Sequence, residues 1–200
     1  GLTGIAHAAG DRVDRAQQRI EAGIAVGDGG VERIECHPVV LELHDEFITL
    51  HTDPDYDLVF AAIGNRAKVM TGGAAGRTGL VTGKSGRFSE QVIVHLPLEV
   101  RTRMAVGDQV LVRAVGQGLM LTDHPEIALK GISPDLLGAL PAREEEGRVD
   151  FGVVAHIPPH LVGAGLGLTS QGGSLHIQST DRELLRELGL DALRLGDLVA

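Results

Sequence analysis

The sequence predicts a mainly β protein, α+β in the sense of a few short helices, built around a small and strongly bent β-barrel core. Three observations carry this reading. The segment 64–96 sets the strand formers Val69, Val81, Val92 and Val94 between glycines at positions such as Gly72, Gly76, Gly79 and Gly83, the punctuation of a tightly turned chain. Short apolar runs bounded by Gly, Pro or Asp recur along most of the rest. Hydrophobic residues make up 43% of the chain, yet it holds four Phe, one Tyr and no Trp, so the core is aliphatic.

Taken in order, the first element is a helix over 11–23, capped by Asp11 and ended by Gly23. Strand patterns follow at 31–34, 39–43 and 47–51. Asp53-Pro54 then opens a short helix, because Asp caps and Pro fits the first helical position; Leu58, Val59, Ala62 and Ile63 give its apolar face and Gly64 stops it. After the barrel segment come strand-like residues 100–103 and a strand at 109–115. Ser133-Pro134 signs a helix running to Leu140. A strand is predicted at 149–156 and another at 175–178. The last helix reads as a capping box of Thr180 and Glu183, with Leu184, Leu185 and Leu188 facing the core and Gly189 ending it.

Residues 1–60 form an N-terminal α/β portion in this reading, 61–145 the barrel core, and 146–200 a closing, barrel-like lobe. The Glu144-Glu145-Glu146-Gly147 stretch is the solvated joint between the last two. Gly-Asp pairs recur in Val26-Gly27-Asp28, Val106-Gly107-Asp108 and Leu195-Gly196-Asp197. Such turns feed strands and carry construction, not chemistry. The start at Gly1 and the stop at Ala200 inside an apparent strand suggest a piece of a longer or processed polypeptide.

Charge and cysteine usage narrow the function classes. The formal net charge is −9, and Lys68, Lys84 and Lys130 are the only lysines. Nucleic-acid binding is disfavoured, since phosphate neutralisation needs a basic face; the local strip Arg66, Lys68, Arg77, Lys84, Arg87 is its sole support. Cys36 is the only cysteine, which rules out an internal disulfide and fits a reducing cytoplasm. No apolar run approaches the roughly 18 residues of a membrane span.

Several ordered motifs carry a resemblance: Gly64-Asn65-x-Ala67-x-Val69, Gly79-x-Val81-Thr82-Gly83-Lys84-x-Gly86, Val106-Gly107-Asp108-x-Val110, Gly116-x-Gly118-Leu119-x-Leu121-x-Asp123, His156-Ile157-Pro158-Pro159 with Gly163-x-Gly165-Leu166-Gly167, and Leu193-Arg194-Leu195-Gly196-Asp197. From Ala61 onward the chain resembles the prokaryotic family known as domain of unknown function 4438. The resemblance implies a mostly β, multi-part barrel fold and no established activity. Residues 1–60 match that family poorly, and the family continues past the position of Ala200 into a His/Gly-rich segment. The segment 64–84 is also similar to the KOW motif of SH3-like barrels in ribosomal and transcription proteins.

The chemistry-bearing residues fall into three groups. Gly79-Leu-Val-Thr-Gly83-Lys84-Ser85 resembles a phosphate loop, but only three residues separate its glycines and a strand follows, so nucleotide hydrolysis is rejected; a looser anion nest at Lys84 stays open. His51, Asp53, Asp55 and Asp57 alternate like ligands of a hard cation, yet Leu58 and Gly64 stand where a calcium loop needs Gly and Glu. Helix capping explains those acids better.

His156-Ile-Pro-Pro-His160 is the leading site. Its prolines forbid a helix through both imidazoles, and it adjoins the Gly163/Gly165 loop, where a small molecule could bind. If His124 faced His156 and His160, with Asp123 orienting one imidazole, a divalent-metal or acid–base centre would result. Cys36 and His37 could add ligands, whereas His7, His44, His95 and His176 have no useful spacing. Two functions from different classes emerge: a metal-assisted small-molecule hydrolase with His156 and His160 as ligands and Asp123 and His124 as catalytic groups, or a non-catalytic β module that holds a partner or another copy of itself.

Overall fold

The computed structural model describes residues 32–36, 38–45, 47–51, 58, 60–85, 91–163, 176–194 and 196–200. The predicted helix over 11–23, the acidic run 53–57 that opens the next one, the first Gly-Asp turn, and the side chains of Cys36 and His37 lie outside what it describes. The helix predicted from Asp53 does not continue to Gly64: Leu58 and Phe60 are in 3₁₀ geometry, Ala61 and Ala62 are irregular, and Ile63 makes a parallel bridge to Ile132.

The centre is a seven-stranded antiparallel sheet: β1 (Glu32–Cys36), β2 (Val39–Leu43), β3 (Phe47–His51), β4 (Arg66–Val69), β5 (Thr78–Ser85), β6 (Gln91–His95) and β7 (Val110–Gln117), in the order β1-β7-β4-β5-β6-β3-β2. Alternation decides which side of each strand enters the core. In β4, Ala67 and Val69 are buried between exposed Arg66 and Lys68; in β6, Val92 and Val94 are buried between partly exposed neighbours. Together with Val40, Ile48, Leu50, Val81, Val110 and Val112 they form one core cluster. Every buried hydrophobic residue among those described is Val, Ile, Leu, Ala or Met, as the scarcity of rings requires.

The mainly β class holds, but the described strands do not close into the expected barrel. β1 and β2 end the ladder. β2 meets the residues that lead into β7, the neighbour of β1, only briefly, through a bridge between Val39 and Gln109 and the bonds Val40 N–H to Asp108 O (2.9 Å), Gly107 N–H to Val40 O (2.9 Å) and Val110 N–H to Pro38 O (2.9 Å). Register shifts at 32/34, 40/42 and 81/83 supply the bending. The result is a curled sheet.

Beyond the sheet the elements are short. Helix α1 (Leu98–Arg101) replaces the strand-like reading of 100–103; Pro97 sets its start, and the Arg101 guanidinium donates to the carbonyls of Leu96 and Asp45. Helix α2 (Pro134–Ala139) starts as predicted, with the Ser133 hydroxyl accepting from Leu136 N–H at 3.1 Å. Strands β8 (Ala142–Glu145) and β9 (Arg148–Phe151) form a hairpin. Its turn is the predicted solvated joint: Glu146 (φ 50°) and Gly147 (φ 74°) both take the left-handed conformation that a two-residue hairpin demands.

The predicted strand 149–156 therefore stops at Phe151; further on, Ala155 makes an isolated parallel bridge to Val199. The described residues of 146–200 contain β9, the two-stranded pair β10 (Val162–Gly163) and β11 (His176–Ile177), and helix α3 (Arg182–Glu187). The cap of α3 is Asp181 and not Thr180, because the Asp181 carboxylate accepts from Leu184 N–H at 3.0 Å. Leu184, Leu185 and Leu188 pack on the small cluster of Ala155, Leu161 and Leu190. Among the described residues no helix is long and apolar enough to cross a membrane.

Both described Gly-Asp turns are built alike. Asp108 Oδ2 accepts from Ala105 N–H at 2.9 Å and Asp197 Oδ2 from Arg194 N–H at 2.7 Å, each three residues back. Their role is structural, as the sequence suggests.

Asn65 ties β7 to the turn that leads into β4. Only 3% exposed, its Oδ1 accepts from Ala62 N–H (2.7 Å) and Val115 N–H (3.3 Å) while its Nδ2 donates to Val115 O (2.9 Å). Removing the amide strands buried backbone groups on two segments. Asn65→Ala is expected to destabilise the fold by roughly 2–3 kcal/mol, read as a lower urea midpoint at unchanged slope.

Candidate functional site

The most developed polar constellation in the described structure centres on His124, just past β7. The chain leaves β7 through Gly118 and buries Leu119 and Leu121 against Leu137 of α2, with Ile127, Leu129, Val149 and Phe151 around them. This second small core pulls the intervening loop inward and leaves His124 only 7% exposed. Its Nδ1 lies 3.3 Å from Glu126 Oε1 and its Nε2 lies 3.2 Å from Glu144 Oε1 on β8.

The bond to Glu144 raises the His124 pKa above its ordinary 6.5; burial opposes this, and the bond to Glu126 and the charges of both carboxylates add to the rise. An imidazole held this way is an ion-pair partner. It has no free lone pair with which to act as a base.

Asp123, expected to orient the ring, is exposed, and the two glutamates do that work instead. His156 is exposed just beyond the Ala155 bridge, and His160 is exposed in the 3₁₀ turn Pro159–Leu161. Gly163 sits in β10 opposite His176, while Gly165 lies outside the described residues. Among the described residues no three His, Cys, Asp or Glu side chains gather so as to hold a metal ion. The imagined meeting of His124, His156 and His160 is not formed there.

Lys84 lies at the far end of β5, opposite Val92. The supposed phosphate loop is this strand, so its backbone serves the pairing with β4 and β6, and Val81 N–H donates to Asn65 O at 2.8 Å. Partial burial lowers the Lys84 pKa to about 8. An open groove of about 350 Å³ runs along the β8–β9 hairpin, lined by Pro141, Arg143, Glu145, Asp150, Phe151 and Gly152.

Glu126, Glu144 and Asn65 were not legible as interacting residues from spacing alone. One signal existed for Glu144: a two-residue Glu-Gly turn between alternating runs marks a hairpin, which would have put it on a strand. Its partner lies 20 residues away in sequence, and no local pattern encodes that.

Because Glu144 is the larger influence on the ring, Glu144→Gln is expected to move the His124 titration midpoint down further than Glu126→Gln does. Imidazole NMR across pH checks the order.

Comparison with known proteins gives a family without an activity. The family model described as "Domain of unknown function (DUF4438), N-terminal" matches residues 51–138, and the corresponding C-terminal model matches 139–200. The match thus begins ten residues before Ala61, where the motif resemblance starts. No curated protein matches. The solved structure titled "Crystal structure of TM1086" is similar at 26% identity and a TM-score of 0.74, over 88% of this chain and 77% of that one. His124 falls in the first matched region and Glu144 in the second. With 51–138 and 139–200 both accounted for, the chain belongs to the DUF4438 family.

Proposed function

We propose that this chain is a non-catalytic binding or assembly module of the cytoplasm that holds another copy of itself along the edge strand β2. The observation that carries this reading is on β2, where Val39, Leu41 and Leu43 are 39%, 38% and 40% exposed at the end of the sheet. Past the short contact of 38–40 with 107–110, no second strand among those described pairs with residues 41–43. An edge with open backbone groups and apolar side chains is the surface that strand addition uses. The cytoplasmic placement rests on the lone Cys36.

The net charge of −9 opposes self-association at low ionic strength. Sedimentation velocity is therefore expected to show a concentration-dependent oligomer that strengthens as salt is added. Leu41→Lys should shift it to monomer without lowering the thermal midpoint. A wild-type chain that stays monomeric in high salt and at high concentration overturns the reading.

The hydrolase reading draws on one observation, that His156 and His160 are both solvent-exposed around a proline-fixed turn. It places a divalent metal on these two imidazoles, with further ligands from outside the described residues. Elemental analysis of chelator-free protein decides it: near-stoichiometric metal, lost in a His156→Ala, His160→Ala double variant, establishes the site, and no metal in either removes it.

A further inference from the structure

Two carboxylates from different parts of the chain converge on one buried imidazole. Glu126 belongs to the same loop as His124. Glu144 lies in β8, beyond the junction of the two matched family regions. The residue of β9 opposite Glu144 is the apolar Val149, so the charged groups acting on the ring are these two glutamates.

Only the imidazolium carries an N–H on both nitrogens. With carboxylate oxygens at 3.3 and 3.2 Å from Nδ1 and Nε2, the doubly bonded arrangement belongs to the protonated ring. A neutral ring can donate to one carboxylate and must turn a lone pair toward the other. At 7% exposure there is little room for water to intervene.

We propose that His124 is a proton-dependent clasp that seats the β8–β9 hairpin on the loop after β7: protonated, it binds Glu126 and Glu144 together, and deprotonated, it releases Glu144. Glu144 is the contact that opens because Glu126, two residues from His124, is held near by the chain itself. Val149 and Phe151 keep their apolar contacts with Leu119, Leu121 and Leu137, so the hairpin loosens and does not detach.

The sign comes from the direction of the shift. The folded-state pKa is raised, so the clasp is complete below the ordinary value of 6.5 and is lost as pH rises through the raised one.

Amide exchange of the whole chain, with β8–β9 protection expressed relative to β6 in the same molecule, cancels the intrinsic pH dependence of exchange. Relative protection of β8–β9 is expected to fall several-fold from mildly acid to mildly alkaline pH, with the midpoint of the His124 imidazole resonances. In Glu144→Gln that step is expected to vanish while β6 protection stays as in the wild type. A flat relative protection across the wild-type His124 titration overturns the proposal, and so does a step that persists unchanged in Glu144→Gln.

Discussion

The side-chain amide of Asn65 is the constraint on which the rest of the arrangement depends. It holds the turn at 62–65 and the end of β7 in one fixed relation, through three hydrogen bonds made by a side chain that is itself buried. That relation sets where β4 begins, and β4 lies between β5 and β7 in the sheet. It also fixes the strip beside it, where Ile63 bridges Ile132 in parallel, Ile63 N–H bonds to Gly131 O, and Ser133 N–H bonds to Ile63 O. Ser133 in turn caps α2. A single amide thereby connects the large sheet to the helix that roofs the second core. An apolar residue of similar size would fill the space but leave the amides of Ala62 and Val115 without an acceptor.

The second core is where the two matched family regions meet. Leu119, Leu121 and Leu137 come from the first and Val149 and Phe151 from the second, so their boundary is bridged by continuous apolar packing. His124 adds direction to that packing. Hydrophobic burial alone would tolerate sliding of the hairpin, whereas two ion pairs on opposite sides of one ring specify its position. The cost is dependence on a proton, since only the imidazolium can donate to both carboxylates at once.

Most of the sheet was legible in the sequence, because its signals are local. β2 and β3 match the 39–43 and 47–51 patterns residue for residue, and the Ser133 cap and the Gly-Asp turns do what their chemistry implies. Failures came where tertiary contacts override local preference. Val100 is β-branched, yet Pro97 and the Arg101 contacts favour a helical turn there. Asp181 outcompetes Thr180 as a cap one position on. The candidate site was the least legible part. Histidine and proline spacing drew attention to His156 and His160, which are exposed, while the histidine held by two carboxylates takes one partner from a hairpin read as a solvated joint.

The pairing of β1 with β7 has a kinetic meaning. Glu32 lies opposite Gln117 and Cys36 opposite Val112, so the sheet joins its first strand to its last. Each such ladder closes a very long loop before it returns any hydrogen bonds, and folds dominated by non-local pairings are slow. On the ribosome, β4, β5 and β6 can form their meander while β1 waits for β7 to emerge. Until then the edge of β4 that β7 will cover stays open, and the growing chain is most exposed to wrong pairing with its neighbours.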